Sequence, residues 1–397
     1  MKKILIIVTL LVAIANMLLA EDMQLQEISL DEFLNNHLVD YKIEKQIQLE
    51  GIGRNFAVAE DTGEIVAVTK TDEKTIVQML DLEGNCKWSH SFDNNYHIIP
   101  LVSKNGNTAT LFFDEGEGRG KNVIISKEGH ILYKSPTSHS VLYPSPDGNY
   151  VYGNINLMGS SKQKEIIMYD KYGKRINVTG LENYQIANIR MKFVDNSHLI
   201  AFIEQENTNS ILLCFCEFNV DNLTVLWQYD LKEGYTKYFD THNMATTNLG
   251  INQNKIAVNA GDSGFFIFDF TGNILYQNNE LISSFGFSQE SSLIIKGKEI
   301  ITFFDNNFVS EKNIDFSFGK VSADEILSFL KFDNFYLIDM KKFYWQKLKH
   351  HTLFCENDEI IIINEKIHYL SLNNSNIIIA LSYEPTPNIT ILREIEK

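Results

Sequence analysis

The chain has 397 residues, with 35 basic against 51 acidic side chains and a formal charge of −16 at pH 7. That length exceeds a single ordinary core of about 100–150 residues, so the chain forms either several domains or one repeat fold. An apolar share of 44% with only 6 prolines excludes a disordered chain. The acidic balance argues against a protein that coats nucleic acid or anionic lipid, because neither would be attracted to it.

The N-terminus has the pattern of an export signal. Lys2 and Lys3 precede an apolar run that ends at Ala20, and a basic start followed by a short apolar stretch is typical of secretion. Cleavage after Ala15 and cleavage after Ala20 both remain open. An uncleaved anchor is the alternative, although the run falls just short of the roughly 20 residues that span a bilayer. We expect residues 1–20 to be a signal peptide, the protein to be exported to the periplasm or the outside, and no membrane span to remain.

A short amphipathic helix is predicted in the next segment, residues 21–40. Ser29 and Glu32 can form a capping box, and one apolar stripe follows on the predicted helix, made of Leu30, Phe33, Leu34 and Leu38. We expect this helix to cover an edge of the repeat domain, residues 41–397; binding a partner is the alternative role.

A hairpin unit recurs along the rest of the chain. It consists of an apolar strand, a turn with Asp and Gly, and a strand that carries an aromatic residue four positions after the Gly. Asp or Asn caps the turn through its own side chain, and Gly supplies the positive φ that closes it. The clearest copies are Met79–Trp88, Ile125–Tyr133 and Phe268–Tyr276, with Tyr169–Ile176 lacking the aromatic residue. Weaker copies, with longer or Gly-free turns, are Phe218–Trp227, 304–307, 338–341 and 372–375.

The spacing of these hairpins predicts a β-propeller. Their first turn positions are 81, 126, 170, 219, 269, 305, 339 and 373, a mean step of about 42 residues, and repeats of roughly 40–50 residues with four short strands are typical of propeller blades. Each interval supplies two more strands, as at Ile98–Ser103 and Thr108–Asp114. Eight blades are favoured and seven are the alternative. Ring closure would use Tyr41–Leu49 against the last blade, or the terminal strand Asn388–Ile395.

Two turn motifs resemble those of known propellers. Ser145–Tyr150 resembles the Ser-Pro-Asp-Gly turn of WD-repeat-like bacterial propellers, and the hairpins Met79–Trp88 and Phe268–Tyr276 resemble blades of the pyrroloquinoline-quinone-like family. The resemblance implies an exported bacterial all-β propeller of four-stranded antiparallel blades. It implies a fold and no chemistry. No copy has the full A-x-D-x-x-T-G-x-x-x-W blade of the quinoprotein enzymes, so no cofactor is expected.

Two segments superficially match catalytic or phosphate-binding motifs. Gly261–Gly264 resembles the nucleophile segment of chymotrypsin-like serine proteases, with Asp240 and His242 upstream. It lies where a propeller needs a hairpin turn, which is the interpretation we prefer. Asp114–Asn122 is Gly-rich and contains Gly-Lys, but it lacks the first Gly and the final Ser or Thr of a phosphate loop. We expect a flexible hairpin loop there, with weak calcium binding as the remaining alternative.

The remaining candidate groups indicate structural roles. The cysteines form no C-x-x-C pair, and Cys214 and Cys216 lie in a predicted strand as buried thiols. The adjacent His350 and His351 point to opposite faces of a strand, so they do not form a metal site together. Carboxylate pairs could be glycosidase dyads only if the fold brings them to the right separation; the examples are Glu115 with Glu117 and Asp358 with Glu359.

These observations predict a non-catalytic exported propeller that acts as a binding or scaffold protein in the cell envelope. The expected partner is a protein or a glycan on one propeller face, and not a nucleic acid. The first alternative is a glycan hydrolase or lyase with carboxylates at the axis, and the second is a quinoprotein-like oxidoreductase. No catalytic, cofactor-binding or metal-ligating residue is assigned. Convergence of carboxylates at the mouth of the channel would distinguish a hydrolase from a binding protein.

Overall fold

The protein is an all-β structure, as predicted, and strands make up 67% of the computed structural model. It describes residues 26–28, 32, 36 and 41–394, except for 94–95, 117–118, 156–163, 207–210, 232–248, 253, 261–263, 280–281, 283, 288–292, 297–299, 306, 316–324, 332–334, 345–346, 357–358, 364–366, 373–376 and 383–387. The predicted signal peptide lies outside the described residues. So does the apolar stripe of the predicted helix, Leu30, Phe33, Leu34 and Leu38. Within the described part, no helix is long and apolar enough to cross a membrane.

In the described part of the chain the strands pair into eight sheets, numbered here in chain order. Six sheets are antiparallel meanders of four consecutive strands. Sheet 1 holds β3 Ile52–Val58, β4 Ile65–Lys70, β5 Lys74–Leu80 and β6 Cys86–Asp93; sheet 2 holds β7 His97–Val102, β8 Thr108–Gly116, β9 Arg119–Ser126 and β10 Ile131–Lys134. Sheet 3 holds β11 Ser140–Pro144, β12 Tyr150–Ile155, β13 Ile167–Asp170 and β14 Arg175–Ile176; sheet 4 holds β15 Ile186–Phe193, β16 His198–Gln205, β17 Ile211–Asn219 and β18 Asn222–Leu231. Sheet 5 holds β19 Leu249–Asn252, β20 Lys255–Asn259, β21 Phe265–Asp269 and β22 Ile274–Asn278; sheet 6 holds β23 Ser284–Phe287, β24 Leu293–Lys296, β25 Ile300–Phe304 and β26 Ser310–Asp315.

The last two sheets take a strand from the N-terminal part of the chain. Sheet 7 holds β27 Glu325–Lys331, β28 Phe335–Tyr344, β29 Lys347–Glu356 and β30 Glu359–Ile363, with β1 Gln26–Ile28 parallel to β30. Sheet 8 holds β31 Ile367–Leu372, β32 Ile377–Ser382 and β33 Asn388–Glu394, and β2 Tyr41–Gln48 pairs antiparallel with β33 as its fourth strand. The two predicted closing segments therefore pair with each other.

Strand composition follows position within a sheet. The third strand of sheet 4, β17, is buried along most of its length because a neighbouring sheet covers each face. The fourth strand, β18, alternates between buried or half-buried and exposed residues because its edge faces solvent. Cys214 and Cys216 lie in β17 as free, buried thiols, as predicted, and burial raises the pKa of both, that of Cys214 to about 12.

Six of the predicted hairpin turns, those beginning at 81, 126, 170, 219, 269 and 305, join the third and fourth strands of sheets 1 to 6. The predicted Ser145–Tyr150 turn joins the first and second strands of sheet 3, and Ser145 Oγ accepts the Tyr150 backbone N–H at 3.0 Å. Asp114–Asn122 forms the predicted hairpin between β8 and β9, with Gly116 opposite Arg119.

One predicted turn is wrong. Asp339 lies inside β28 and is opposite Thr352 in β29. Met340-Lys341-Lys342 follows it with no Gly or Asn to adopt positive φ, so the strand continues to Tyr344. The hairpin equivalent to the others lies between β29 and β30, where Glu356 pairs with Glu359. The hairpin predicted at 373 is present, since β31 pairs antiparallel with β32, but it connects the first and second strands of sheet 8; residues 373–376 themselves lie outside the described part.

Apolar clusters lie between consecutive sheets. The cluster between sheets 4 and 5 includes Phe202, Phe215, Phe266 and Phe268. Equivalent clusters join sheets 1 with 2, 2 with 3, 3 with 4 and 5 with 6. Another joins Ile389 and Ile391 of sheet 8 to sheet 1. Among the described residues the core is therefore a series of sheet-to-sheet interfaces, and sheet 8 packs against sheet 1 as sheets 1 to 6 pack against one another.

The turn between strands three and four also packs on the preceding sheet. A Cβ at Gly272 of sheet 5 would lie 2.9 Å from Cγ of Trp227 on β18, and the Trp227 indole N–H donates to the Phe270 carbonyl at 3.0 Å. Gly129 is similarly close to Trp88 on β6. These turns therefore require Gly both for positive φ and for contact with the neighbouring ring.

Asparagine side chains join the backbones of neighbouring sheets. Asn154 on β12 donates to the Met191 carbonyl at 2.7 Å and accepts the Met191 N–H at 2.9 Å. Asn122 on β9 makes the same pair of bonds with the Ser140 carbonyl and the Leu142 N–H. Because a first strand has no strand beyond it, these amides satisfy backbone groups that would otherwise lack a protein partner.

We predict that Gly272→Ala destabilises the protein by about 1–3 kcal/mol more than Gly116→Ala, because only the former overpacks against a ring. Gly116 has a similar φ of 89°, against 90° for Gly272, and no atom within 4 Å of an added Cβ. The Gly116→Ala variant therefore measures the cost of backbone strain alone. Urea unfolding of both variants measures the difference, and equal losses of stability would show that the Trp227 contact contributes nothing.

Candidate functional site: the hairpin face

One end of the sheets carries both kinds of hairpin turn. In an antiparallel meander the first and third strands run in the same direction, so the first–second and third–fourth turns lie at the same end. We call this end the hairpin face. The third–fourth turns form its outer rim, and the first–second turns form its inner part.

Exposed apolar side chains occupy the rim on four consecutive sheets, 3 to 6. Tyr172 and Val220, at the turns of sheets 3 and 4, expose 70% and 64% of their surfaces. The other members, at or directly after the turns of sheets 5 and 6, are Ile274, Leu275 and Val309. Together they form what we call the apolar rim. A run of large exposed apolar residues is a feature of interaction surfaces.

Two rim turns place a bulky residue at positive φ. Val220 has φ 59°, and Phe308 has φ 61° at the position that Gly occupies in the Asp269–Asn273 turn. The left-handed conformation is strained for a β-branched residue. Phe308 gains a compensating contact, since its ring packs 5.7 Å from that of Tyr276. Val220 is exposed instead, so burial of its side chain does not compensate for the backbone strain.

Carboxylates alternate with the apolar side chains along the rim. Burial raises the pKa of Asp269, but donors on Asn273 and Thr271 outweigh this effect and lower the pKa to about 2. The Asn273 amide and the Thr271 hydroxyl donate to this carboxylate at 2.9 and 2.7 Å. Asp170 and Asp305 accept backbone N–H groups in the same manner. At neutral pH the rim therefore combines apolar side chains with carboxylates at fixed positions, and on sheet 3 Lys171, Lys174 and Arg175 stand beside Asp170.

The inner turns contact one another from sheet to sheet. The Asp61 N–H donates to the Lys104 carbonyl at 2.8 Å, which joins sheets 1 and 2. The Asn105 amide donates to the Asp147 carbonyl at 2.8 Å, and the Thr108 hydroxyl donates to the Gly148 carbonyl at 2.8 Å, which joins sheets 2 and 3. These bonds hold the inner part of the hairpin face in a continuous arc.

Three charged residues meet at the inner end of this face, and we call them the inner cluster. Glu60 follows β3, Lys104 follows β7, and Lys192 lies near the end of β15. Lys104 Nζ is 2.7 Å from Glu60 Oε2. Burial lowers the pKa of Lys192; the Glu60 charge opposes that shift and the Lys104 charge adds to it. The cluster therefore combines residues of sheets 1, 2 and 4.

Polar groups continue along the first strands below the inner cluster. Arg190 precedes Lys192 by two residues on β15, so both lie on the same face of the strand, and Arg190 is only 7% exposed. The Arg190 charge acts on Tyr143 of β11, whose pKa burial nevertheless raises to about 12. The Tyr143 ring stacks on Tyr152 at 5.6 Å. A third cation therefore lies on the same strand face as Lys192.

One turn of the face contains the residue types of a hydrolase triad. His198 Nδ1 lies 2.9 Å from Asp195 Oδ2 and 3.3 Å from Ser197 Oγ. In a nucleophilic triad the serine and the acid contact different ring nitrogens, whereas here both contact Nδ1. The arrangement closes the Asp195–His198 turn and does not activate Ser197.

A recess of about 570 Å³ lies beside β14, on the outer edge of sheets 3 and 4. Its charged lining groups are paired: Lys164 with Glu206 at 2.6 Å and Arg175 with Glu165 at 3.1 Å. The Glu182 carboxylate accepts the Gly180 N–H at 2.9 Å. These groups already satisfy one another, so the recess is a weaker candidate than the hairpin face.

The described candidates from the sequence lie in separate strands and hairpins. Gly264 closes the hairpin between β20 and β21, where its φ is 103°, and 261–263, Asp240 and His242 lie outside the described residues. Glu115 is paired with Lys121 at 2.7 Å on the β8–β9 hairpin, while Glu117 and Asp358 are also outside the described part. His350 and His351 lie in β29, opposite Lys341 and Met340. In the described part, no group of three His, Cys, Asp or Glu residues could hold a metal.

Sequence reasoning missed the inner cluster. Its members are separated by 44 and 88 positions along the chain, and no short motif joins them. One local signal was present: Asn188, Arg190 and Lys192 place polar groups on every second residue of an otherwise apolar first strand. That alternation identifies a strand face turned towards something other than a core.

Comparison with known proteins supports the fold. No protein-family model and no curated protein matches the chain. Among solved structures, BamB from Moraxella catarrhalis is 11% identical, with a TM-score of 0.53 over 89% of this chain and 97% of that one. A eukaryotic initiation factor is 13% identical, with a TM-score of 0.52 over 87% of each chain. The Dos1 propeller is 11% identical, with a TM-score of 0.52 over 90% of this chain and 96% of that one. At such identities the likeness shows the fold alone, and the fold is a β-propeller.

The lowered pKa of Asp269 predicts how stability depends on pH. A folded pKa of about 2 against an ordinary 3.8 means that the ionised carboxylate stabilises the fold above about pH 4, and that this contribution is lost as the pH falls towards 2. Urea unfolding of Asp269→Asn across this range should show a smaller loss of stability than wild type. Asp72→Asn, in an exposed turn at the opposite end of sheet 1, should retain the wild-type dependence. If the two variants behave alike, the turn carboxylate has no such role.

Proposed function

We propose that this chain is an exported, non-catalytic binding protein that docks a protein partner on the hairpin face of an eight-bladed propeller. The observation that carries the proposal is the apolar rim, above all Val220, which is both strained and exposed. A strained conformation persists where the surrounding structure or a function maintains it. A contact with a partner explains why an apolar β-branched residue stands at a turn position suited to Gly or Asn.

The eight sheets support the proposed number of blades. Each sheet has four strands apart from the added β1, and each described interface repeats the packing of the one before. In this arrangement β2 would complete the last blade as its outer strand, next to β33, and so close the ring. Closure of a propeller by strands from both ends of a chain removes the exposed edges that an open array would leave.

The rim also indicates the chemistry of the partner. The apolar residues span sheets 3 to 6, and on sheets 4 to 6 the turn carboxylates Asp221, Asp269 and Asp305 stand beside them. A complementary surface would be apolar at its centre and basic at its border, because opposite charges across an interface favour association and reject other partners. A protein surface provides this combination more readily than a neutral glycan does.

The glycan hydrolase alternative has less support at the axis. The inner cluster brings together one carboxylate and two ammonium groups, and Glu60 is already paired with Lys104. A glycosidase dyad needs two carboxyl groups about 5–10 Å apart. Among the axial residues that the structure describes, charge pairing favours binding over acid–base chemistry.

Rim variants test the proposal. Val220→Asn should raise the free energy of unfolding by about 1 kcal/mol, because Asn tolerates the left-handed conformation, and it should also weaken partner binding. Combining it with Tyr172→Ser and Leu275→Ser should abolish recovery of the partner. Affinity capture with the mature protein from an envelope extract, read by quantitative mass spectrometry, measures the binding.

The matched control is Ile52→Ser. Ile52 is 58% exposed and begins β3, so it lies at the opposite end of sheet 1. This variant should recover the same partner as wild type. Equal capture by the rim variants and wild type, with all proteins folded by circular dichroism, would refute docking on the rim.

The proposed export leads to a separate prediction about the N-terminus of the mature protein. Lys2 and Lys3 before an apolar run support a cleaved signal. Intact-mass measurement of the protein recovered from its native envelope should show a chain that begins after Ala15 or after Ala20. A mass that includes Met1 would refute signal cleavage, and recovery of the protein only from the cytoplasm would refute export.

A further inference from the structure

We propose that the inner cluster is a binding site for a single carboxylate group, entered from the hairpin face at the propeller axis. The proposal extends the proposed function, since the same face would dock the partner. The site itself can be tested without any partner.

Position is the first argument. The first strands of a propeller surround its central channel, and Lys192 lies near the end of such a strand. Glu60 and Lys104 lie in turns that directly follow two other first strands. The three residues therefore come from sheets 1, 2 and 4 to the inner edge of one face. A ligand at this point would contact several sheets at once.

Charge is the second argument. Two ammonium groups and one carboxylate leave the inner cluster with one net positive charge, in a protein whose total charge is −16. Lys104 is paired with Glu60, whereas no described carboxylate lies within ion-pair distance of Lys192. Arg190, buried on the same strand face, adds a positive charge beneath. One carboxylate would neutralise the excess charge of the cluster.

The surroundings of Lys192 make that charge effective. Lys192 is half-buried, and burial lowers its pKa because the ammonium is less well solvated there. An anion in this position would replace lost solvation, and its field would be screened less than at an open surface. Lys104 and Glu60 are each about half exposed, so they leave the entrance open and contribute only a weak ion pair.

Removing the charge of Glu60 should change carboxylate affinity in a direction that a purely structural role of the inner cluster would not predict. Its negative charge competes with any bound anion and raises the pKa of Lys192. Glu60→Gln should therefore strengthen carboxylate binding and lower the pKa of Lys192 in the free protein. Lys192→Gln should weaken binding by about tenfold or more, the loss typical of one charge-assisted hydrogen bond.

The experiment uses the mature protein and acetate as the probe. Acetate replaces chloride in the buffer, so that the ionic strength stays constant. Saturation-transfer NMR on the acetate methyl group measures binding. Competitive amine labelling, read by peptide mass spectrometry across pH, measures the pKa of Lys192. We expect saturable acetate binding that slows Lys192 labelling, is weakened in Lys192→Gln and is strengthened in Glu60→Gln. The control Lys127→Gln, which changes an exposed turn lysine, should behave as wild type.

Two further probes identify the source and class of the anion. A short peptide with a free C-terminal carboxylate should compete with acetate, and the same peptide with a C-terminal amide should not, if a protein chain can supply the group. Competition by acetate but not by the peptide would assign the site to small free carboxylates. Binding of inorganic phosphate without acetate would overturn the proposal. Unchanged Lys192 labelling in acetate, or identical acetate binding by Lys192→Gln and wild type, would also overturn it.

The result of the acetate experiment does not depend on the result of partner capture by the rim variants. Tyr172→Ser and Val220→Asn lie outside the inner cluster and should leave acetate binding intact. Loss of partner capture in the rim variants with no acetate binding in wild type would reject only the carboxylate site. Acetate binding with rim-independent capture would reject only docking on the rim.

Discussion

The fold depends on a contact that third–fourth turns make with the fourth strand of the preceding sheet, as in sheets 1, 2, 3 and 5. At Gly272 and Trp227, and at Gly129 and Trp88, the turn is close enough to the indole that a Cβ would collide with it. A sheet with both faces apolar cannot be stable alone, because each face must be covered. The turn contact sets the distance and angle between neighbours at the outer radius, while the Phe-rich clusters fill the space between them. Repetition of one local geometry therefore produces the curvature of the whole ring.

The contact is also the reason why the fold could be predicted from sequence. A motif of Asp, Gly and a later aromatic residue identifies both a turn and the strand that follows it. Because the motif occurs once in each sheet that has it, the spacing between its copies gives the length of the repeat. The prediction failed where the motif is lost. In sheet 6 Phe308 takes the Gly position and packs against Tyr276, and the turn at 305 was still predicted correctly. The failure is in sheet 7, where the third–fourth hairpin at 357–358 has no Gly. The pattern then favoured Asp339, an acid inside a long strand. The last sheet has no such hairpin at all, because its third and fourth strands are opposite ends of the chain.

The candidate site could not be predicted in the same way. Turn chemistry is local, and the six correct turns needed only four or five consecutive residues each. The inner cluster depends on the distance between Glu60, Lys104 and Lys192, which is determined by how many sheets the ring contains and how their inner ends converge. The same holds for Asn122 and Asn154, whose amides bond to the next sheet and whose sequence neighbourhoods resemble those of any strand asparagine. Sequence shows that these residues are polar within apolar strands, and only the fold shows what they face.

The rim carboxylates and the inner lysines of the hairpin face have different structural origins. At the outer rim the carboxylates are fixed by turn geometry: Asp269 caps its turn with both oxygens, so its charge is a by-product of folding that remains on the surface. At the inner radius Asp61, Asp147 and Asp195 also lie in turns, whereas no turn requires the charge of Lys192, since Lys192 lies in a strand whose hydrogen bonds do not use its side chain. A turn-forming acid needs no partner to explain it, whereas a half-buried lysine with a lowered pKa lowers stability unless something offsets its desolvation. Turn geometry explains the rim acids without any partner. A binding role is the better explanation for Lys192.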